Sequence, residues 1–463
     1  METRNPFLHF KNVLCVYPYQ KELSSMGFMP PLGLEYIATI LKRFSERVDI
    51  VDLRYEKKEL DYYLAARPDL VCVSVNWSHE KNKVRNLIRQ IPSDIFTIVG
   101  GRTATEDADN LLMECQNIDI IVKGEGEETI KELLENRPLS EISGIAYRMG
   151  DKIIHNPHRK LGPLDPNFVI DRGLRRYKYK LISNRFDFGY KVDGIFSSRG
   201  CPYNCSFCSF NFTAGGEKRR WVGRPPESVV EEIKSMEADM AIFLDENFTF
   251  NIKGVNEICD LLIKEKVNKI FAANSRIDIA KHPETIEKME RAGFKILMFG
   301  IESAQNRILK QFNKGFTVEE VKECFEVLKR YDIFYHGYFI IGSPQEREDE
   351  MVGIADFANN IGLNSIGVSN LRCSIHTPLY EIIKKLEGFK LDRRGRVYSN
   401  AYSVADLKLI RKSIYRKFYN LSSIWKIFSF ILFNRMLKLK MIYSIIKSSS
   451  SIMIESMIYD NRD

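Results

Sequence analysis

Gly194-Ile-Phe-Ser-Ser-Arg-Gly200-Cys201-Pro-Tyr-Asn-Cys205-Ser-Phe-Cys208 is the stretch on which the reading of this chain turns. A short β-forming run ends in a turn, and three cysteines follow, separated by three residues and then by two. Thiolates at that spacing can hold three corners of one iron–sulfur cube from a single loop and leave the fourth iron open. A structural zinc site closes with four ligands, and no fourth Cys or His lies in the loop. The alternative is that these are ordinary loop thiols, or part of a zinc site completed from elsewhere.

Outward from the loop, the chain keeps one rhythm in both directions. Downstream, Gly194–Ser198, Met240–Leu244, Lys269–Ala273, Ile296–Ile301, Phe334–Ile341 and Ser365–Leu371 read as short strands, each followed by a helix-like stretch. Such alternation predicts a parallel sheet curved into a partial (β/α)6 barrel over 191–390. Upstream, Val13–Tyr17, Val48–Leu53, Leu70–Val75, Phe96–Val99 and Ile118–Val122 alternate with helical patterns. They predict a doubly wound, Rossmann-like parallel sheet over 1–145. Residues 146–190, rich in Pro, Asn and Arg, read as a linker, and 391–463 as a helical basic region. The fold class is therefore α/β throughout, with a helical end.

Composition narrows the classes further. With 44% hydrophobic and 11% aromatic residues among 463, the chain has enough apolar side chain to build cores, which excludes whole-chain disorder. No run approaches the ~18 apolar residues of a membrane span, and no secretory signal opens the sequence. Nine cysteines, odd in number and sparse, do not suit a secreted disulfide framework. The formal charge of +8 lies almost wholly in residues 401–463, where eleven Lys and Arg face four acids. The rest is nearly neutral, so no nucleic-acid surface is expected.

The cysteine loop, with Phe207 as the aromatic before the third cysteine, resembles the radical S-adenosylmethionine (SAM) superfamily. The resemblance implies a [4Fe–4S] cluster on Cys201, Cys205 and Cys208, with SAM on the open iron and cleaved to a 5′-deoxyadenosyl radical. It also implies SAM contacts at Phe207, Asp245 (second strand end), Arg276 (third), Glu302 and Ser303 (the Gly-x-Glu-Ser stretch), and Ile341 and Gly342 (fifth strand). Ahead of it, Pro30-Pro-Leu-Gly33, Val99-Gly-Gly101 and Gly124-Glu125-Gly126 resemble the cobalamin-binding branch of that superfamily, class B methyltransferases included. There the edge of the sheet holds the corrin, which here implies Asn76, Trp77, Ser78, Gly100, Gly101, Gly124, Glu125 and Gly126. The Asp-x-His-x-x-Gly motif of other cobalamin domains is missing, and Tyr17-Pro-Tyr19-Gln stands in its place. His79 is a weaker candidate for cobalt than Trp77 is for a flat apolar cover.

The function implied is methylation of an unactivated carbon, with cobalamin carrying the methyl group. The alternatives are a non-methylating oxidoreductase or cyclase of the same branch, and a non-catalytic iron–sulfur or cobalamin-binding protein. Tyr335, His336, Arg372, His376 and Tyr380 would line the substrate side, and Cys373 could pass a hydrogen atom. Expected partners are a small-molecule, lipid or peptide substrate and a flavodoxin- or ferredoxin-like electron donor. The expected setting is the cytoplasm. The stretch from Leu421 mixes bulky apolar residues with Lys and Arg, so it either caps the barrel or lies on an anionic membrane.

Overall fold

The computed structural model describes residues 10–19, 28–77, 80–160, 162, 165, 168–183, 186–213, 216–392 and 395–442. The chain divides into two compact units, one formed mainly by residues up to 163 with 168–179, the other mainly by 180–212 and the chain from 218 onward.

In the first unit, short apolar runs become strands buried on both faces: β1 (Asn12–Tyr17), β2 (Arg47–Asp52), β3 (Leu70–Ser74), β4 (Phe96–Gly100) and β5 (Ile120–Val122). They pair in parallel in the order β2-β1-β3-β4-β5. Parallel strands need crossovers, and helices α1 (Leu32–Lys42), α2 (Leu60–Leu64), α3 (Lys81–Ile88), α4 (Arg102–Glu106) and α5 (Ala108–Glu114) provide them, with α6 (Glu127–Leu134) following β5. The strand order reverses at β1 and β3, which is where an open sheet of this kind leaves a crevice at its C-terminal edge.

The first boundary differs from the expectation. Residues 146–155, read as linker, belong to the hairpin β6 (Ile145–Met149) and β7 (Lys152–His155), which extends the sheet antiparallel to β5. Residues 168–179 also belong to this unit. Glu35 in α1 is fully buried, and Arg175 meets it with two hydrogen bonds of 2.7 and 2.6 Å. Tyr179 donates to Asp52 at 2.8 Å, beside the buried Asp52–Arg54 pair. A buried carboxylate is tolerated only when it is paired, so this Pro- and Arg-rich stretch supplies charge to the sheet domain rather than merely spanning a gap.

In the second unit, β9 (Phe186–Ile195), β12 (Met240–Phe243), β13 (Ile270–Ser275), β14 (Phe294–Glu302), β15 (Phe334–Ile341) and β16 (Ser365–Asn370) lie parallel in sequence order, with β8 (Lys180–Ser183) antiparallel to β9. Two short pairs flank them, β10 (Ser198–Arg199) with β11 (Val222–Gly223) and β17 (Phe389–Leu391) with β18 (Val397–Ser399). Helices α7 (Pro226–Ser235), α8 (Ile252–Lys264), α9 (Pro283–Ala292), α10 (Asn306–Gln311), α11 (Val318–Leu328), α12 (Glu348–Asn360) and α13 (Pro378–Lys385) come between and after the strands. The core between sheet and helices is aromatic: Phe243, Phe271 and Phe294 have centroids 5.2–6.0 Å apart, and Phe299 meets Phe325 at 5.6 Å. This is the partial barrel the alternation predicts.

An open barrel leaves β16 with unpaired backbone groups, which a sheet must cover. Helix α14 (Val404–Phe418) does so. Its capping box at Ser403 and Asp406 sets the start, and Leu407, Ile410, Ile414 and Phe418 enter the core. Tyr415 Oη accepts from Val368 N at 2.9 Å and Tyr419 Oη from Ile366 N at 3.3 Å. Helix α15 (Leu421–Phe433) follows, and Ser423 is its one buried residue. Capping is thus the work of the helix before Leu421. Tyr415→Phe should leave the Val368 amide without its acceptor and lower unfolding free energy by about 1–2 kcal/mol in urea titrations; an unchanged midpoint would show that the edge does not need it.

Candidate functional site

The cysteine loop leaves the half-barrel at the C-terminal end of its first strand, and the β10–β11 pair closes its base. Gly200 has φ +83, and a Cβ there would collide with the Arg220 carbonyl, so the turn into Cys201 admits only glycine. The Gly200 amide donates to Glu246 at 3.0 Å, and Lys218 Nζ donates to Tyr203 O and Asn204 Oδ1, both at 2.6 Å. Ser206 N and Oγ donate to the Phe312 and Gln311 carbonyls at 3.0 and 2.8 Å, while Ser206 O accepts from Leu379 N at 3.0 Å. Phe207 packs on Phe312, 4.8 Å between centroids, against a small cluster that includes Leu371, Cys373 and Leu379.

These contacts fasten the loop through its backbone and through side chains other than the three cysteines. Cys205 is buried, and Cys201 and Cys208 are half-buried. Among the described residues no group of three His, Cys, Asp or Glu side chains is placed to hold a metal ion. Three soft donors on one loop with no fourth beside them fit an iron–sulfur cube, whose thiolates sit on separate irons.

Neighbouring strand ends add a dense polar layer. Asp245 is fully buried, and its carboxylate accepts from Ser197 N (3.1 Å), Ser197 Oγ (2.6 Å) and Ser198 Oγ (2.5 Å). Both oxygens are thus turned to the strand that feeds the cysteine loop. Burial pushes its pKa up to about 6 against the lowering effect of the serines. Arg276 lies 3.7 Å over the Tyr203 ring, donates to Asp278 at 3.1 Å and to Lys314 O at 2.6 Å, and so clamps the loop to the third strand. Glu302 has φ +73, uncommon for a side-chain-bearing residue. Its carboxylate folds back over Gly300, where a Cβ would sit 2.5 Å from Oε1, and meets Lys314 Nζ at 3.2 Å. That contact gives the Gly-x-Glu spacing a steric reason.

Ser303 is buried and accepts from Gln305 N at 3.2 Å. Ile341 is core, and Gly342 N donates to Glu346 at 2.9 Å. A cavity of about 340 Å³ opens beside Gly342 and Glu346, but none of its lining residues comes from the cysteine loop. Lys314, Glu246 and Lys218 are site residues the sequence reading missed, because each sits in a turn that carries no periodicity.

The substrate-side candidates separate by strand parity. Tyr335 faces the helices: it is buried in the main core and donates to Leu328 O at 2.7 Å, which corrects its assignment to the barrel mouth. His336 and Tyr338 take the opposite face, 4.5 Å apart, with His336 Nδ1 2.7 Å from Ser365 Oγ. A Cβ at Gly367 would press within 3.0 Å of both rings. Cys373 is buried beside the Phe207 cluster with its thiol pKa pushed up to about 12, and Tyr380 packs at the edge of that cluster. Arg372 is exposed and His376 half-buried.

In the first unit, the turns after β3, β4 and β5 share the C-terminal edge. Asn76 N and Trp77 N both donate to Tyr19 Oη, at 2.5 and 2.8 Å, and Trp77 Nε1 donates to Tyr17 Oη at 3.2 Å. The two tyrosines that replace the missing motif thus hold the Asn76–Trp77 turn, and Trp77 is 45% exposed. Ser78 and His79 lie outside the described residues. Among the glycines, Gly101 is required by Asn76 and the Val75 carbonyl, each 2.7 Å from where a Cβ would be, and Gly126 packs on Ile37. Gly100 is in ordinary contact with Val122, whereas Gly124, whose amide donates to Thr105 Oγ1 at 3.0 Å, has open space on the side where a Cβ would stand. Glu125, next to it, is half-buried.

Two outcomes follow for the half-barrel. Gly200→Ala should cut iron and sulfide bound after anaerobic reconstitution several-fold with the circular dichroism spectrum unchanged; full loading would refute the steric argument. Because the folded-state pKa of Asp245 is raised, the unfolded chain loses this proton first, and stability falls as pH rises from about 4 to about 6. Across that window, the stability difference between the wild type and Asp245→Asn should change by about 2–3 kcal/mol.

Comparison with known proteins gives the same architecture. The radical SAM superfamily model matches residues 195–358 and the B12 binding domain model residues 23–134. The uncharacterized methyltransferase PH0819 of Pyrococcus horikoshii is 30% identical over 359 residues, covering 72% of this chain and 74% of that protein. The anaerobic magnesium-protoporphyrin IX monomethyl ester cyclase of Cereibacter sphaeroides is 28% identical over 354 residues, 70% of this chain and 55% of its own. Among solved structures, the radical SAM methyltransferase TsrM of Kitasatospora setae, with tryptophan and a SAM analogue bound, superposes with a TM-score of 0.70 at 18% identity over 89% of each chain. With its three-thiol loop on a parallel half-barrel and a B12-binding sheet ahead of it, the chain belongs to the radical SAM superfamily, in the cobalamin-binding branch whose cofactors are a [4Fe–4S] cluster, SAM and cobalamin.

Proposed function

We propose that the chain transfers a methyl group to an unactivated carbon of an organic substrate. The observation that carries this reading is the presence, in one chain, of a three-thiol loop on a parallel half-barrel and a B12-binding sheet. A saturated carbon has no acidic proton and no lone pair, so neither a general base nor a polar nucleophile can prepare it for methylation. When bound, the cofactors supply one-electron cleavage of a sulfonium and a methyl group carried on cobalt.

The chain's own residues bind and orient. Cys201, Cys205 and Cys208 would hold three irons, and Phe207, the Glu302–Lys314 pair and the Ser303 backbone would border SAM. Asp245 and Arg276 serve as positioning residues, since their polar atoms are engaged with Ser197, Ser198, Asp278 and Lys314. Trp77, held by Tyr17 and Tyr19, would lie against the corrin, and the open space at Gly124 would admit its edge. His336 and Tyr338 are the polar groups offered to substrate on the inner face of the half-barrel. Burial lowers the His336 pKa to about 4, so it meets substrate as a neutral imidazole fixed through Ser365. The substrate is a small molecule, a peptide or a lipid, and a flavodoxin- or ferredoxin-like protein in the cytoplasm provides the electron.

Similarity to the cyclase favours one second reading, radical oxidation or ring closure without methyl transfer. Methyl-labelled SAM separates the two with the reduced, reconstituted, cobalamin-loaded protein and candidate substrates. Methylation puts label in the product, whereas the second reading yields 5′-deoxyadenosine with an unlabelled product. Failure of the protein to cleave SAM at all would leave only the non-catalytic alternative.

A further inference from the structure

Helix α15 carries two opposed faces, and one of them has no partner among the described residues. Ser423, Phe430 and Asn434 face the half-barrel: Ser423 Oγ donates to Phe418 O at 2.6 Å, Phe430 meets Phe334 at 5.4 Å, and Asn434 donates to Asp332 at 2.9 Å. On the other side, Leu421, Trp425, Phe428 and Leu432 stand at helical steps of four, three and four residues and form one stripe. They are 88%, 67%, 40% and 50% exposed. Phe433 and Leu439 extend the exposed apolar surface at 80% and 85%. A contiguous apolar face of this kind on a folded protein marks a contact surface.

Charge says which contact. Residues 421–442 contain Lys426, Arg435, Lys438 and Lys440 and no acid, and all four cations are exposed. Lys426 flanks the stripe and Arg435 follows it directly. We propose that α15 lies flat on an anionic lipid surface, with the Leu421–Leu432 stripe among the acyl chains and the cations at the headgroups. A bulky apolar stripe with Trp, bordered by cations, is what interfacial binding needs. The helix has 13 residues, about 20 Å, and cannot cross a hydrocarbon layer of about 30 Å. Among the described residues no helix is long and apolar enough to do so. The inference does not depend on the reaction catalysed.

Sedimentation of the full chain with large vesicles tests it, comparing neutral phosphatidylcholine with vesicles one-third phosphatidylglycerol. The expected result is at least about tenfold tighter binding to the anionic vesicles, weakened by salt. Trp425→Ser/Leu432→Ser should reduce that binding at least about tenfold without shifting the thermal midpoint, because both side chains are exposed in the fold. Lys426→Glu/Lys440→Glu should remove the preference for anionic lipid. Equal binding to both vesicle types, or binding indifferent to both variants, would overturn the proposal. So would a dimer in solution that Trp425→Ser/Leu432→Ser dissociates, since a second copy would then cover the stripe. Vesicle binding that appears only after removal of residues 443–463 would equally overturn it, by making the tail the occupant.

Discussion

Three thiols that must take up irons cannot themselves hold their loop in place, so the loop has to be fixed by other groups. Here the fastening is divided among backbone groups and side chains other than the cysteines, charged ones included. Ser206 bonds to two carbonyls at the end of α10 and to the start of α13, Phe207 packs on Phe312, and the Gly200 amide is held by Glu246. None of these contacts consumes a sulfur. Gly200 is as much a part of the arrangement as the cysteines, because any side chain at that point would drive the loop off the Arg220 carbonyl.

A second layer of buried charge supports the first. Asp245, Arg276, Glu302 and Lys314 are all nearly or fully buried, and each is spent on another part of the site. Asp245 fixes the serines before the loop, Arg276 clamps Tyr203, and Lys314 neutralises a glutamate held in a left-handed backbone conformation. Unpaired, any of them would cost several kcal/mol in that setting. Paired, they make the C-terminal edge of the half-barrel rigid and polar without exposing charge. The sheet domain uses the same device in a different place, where Glu35 is tolerated in an apolar helix only because Arg175 arrives from 140 residues away.

Much of this was legible in advance. The parallel strands follow their apolar runs to within a few residues, because a strand buried on both faces must be continuously hydrophobic. The exception is β9, read as Gly194–Ser198 but running from Phe186 to Ile195, so that it and β8 lie mostly in the stretch read as linker. Cys15, Cys72, Cys115, Cys259 and Cys324, read as core residues, are all buried. Edge elements were less visible. The β6–β7 hairpin is short, with β7 half-exposed or exposed throughout, and the 168–179 segment bonds to residues more than 120 positions away, which no local period records. Tyr335 was misplaced by one residue, and in a strand one residue is the whole difference between lumen and core.

The sequence by itself determined the alternation of strands and helices, the identity of the three-thiol loop and the family, since these rest on local periodicity and on residue spacing within one turn. Tertiary structure alone decided which polar groups are spent on one another, which face of β15 looks inward, and which helix closes the open edge of the half-barrel. Those outcomes depend on partners tens to hundreds of residues apart, and the chain brings them together only when its apolar surfaces are buried.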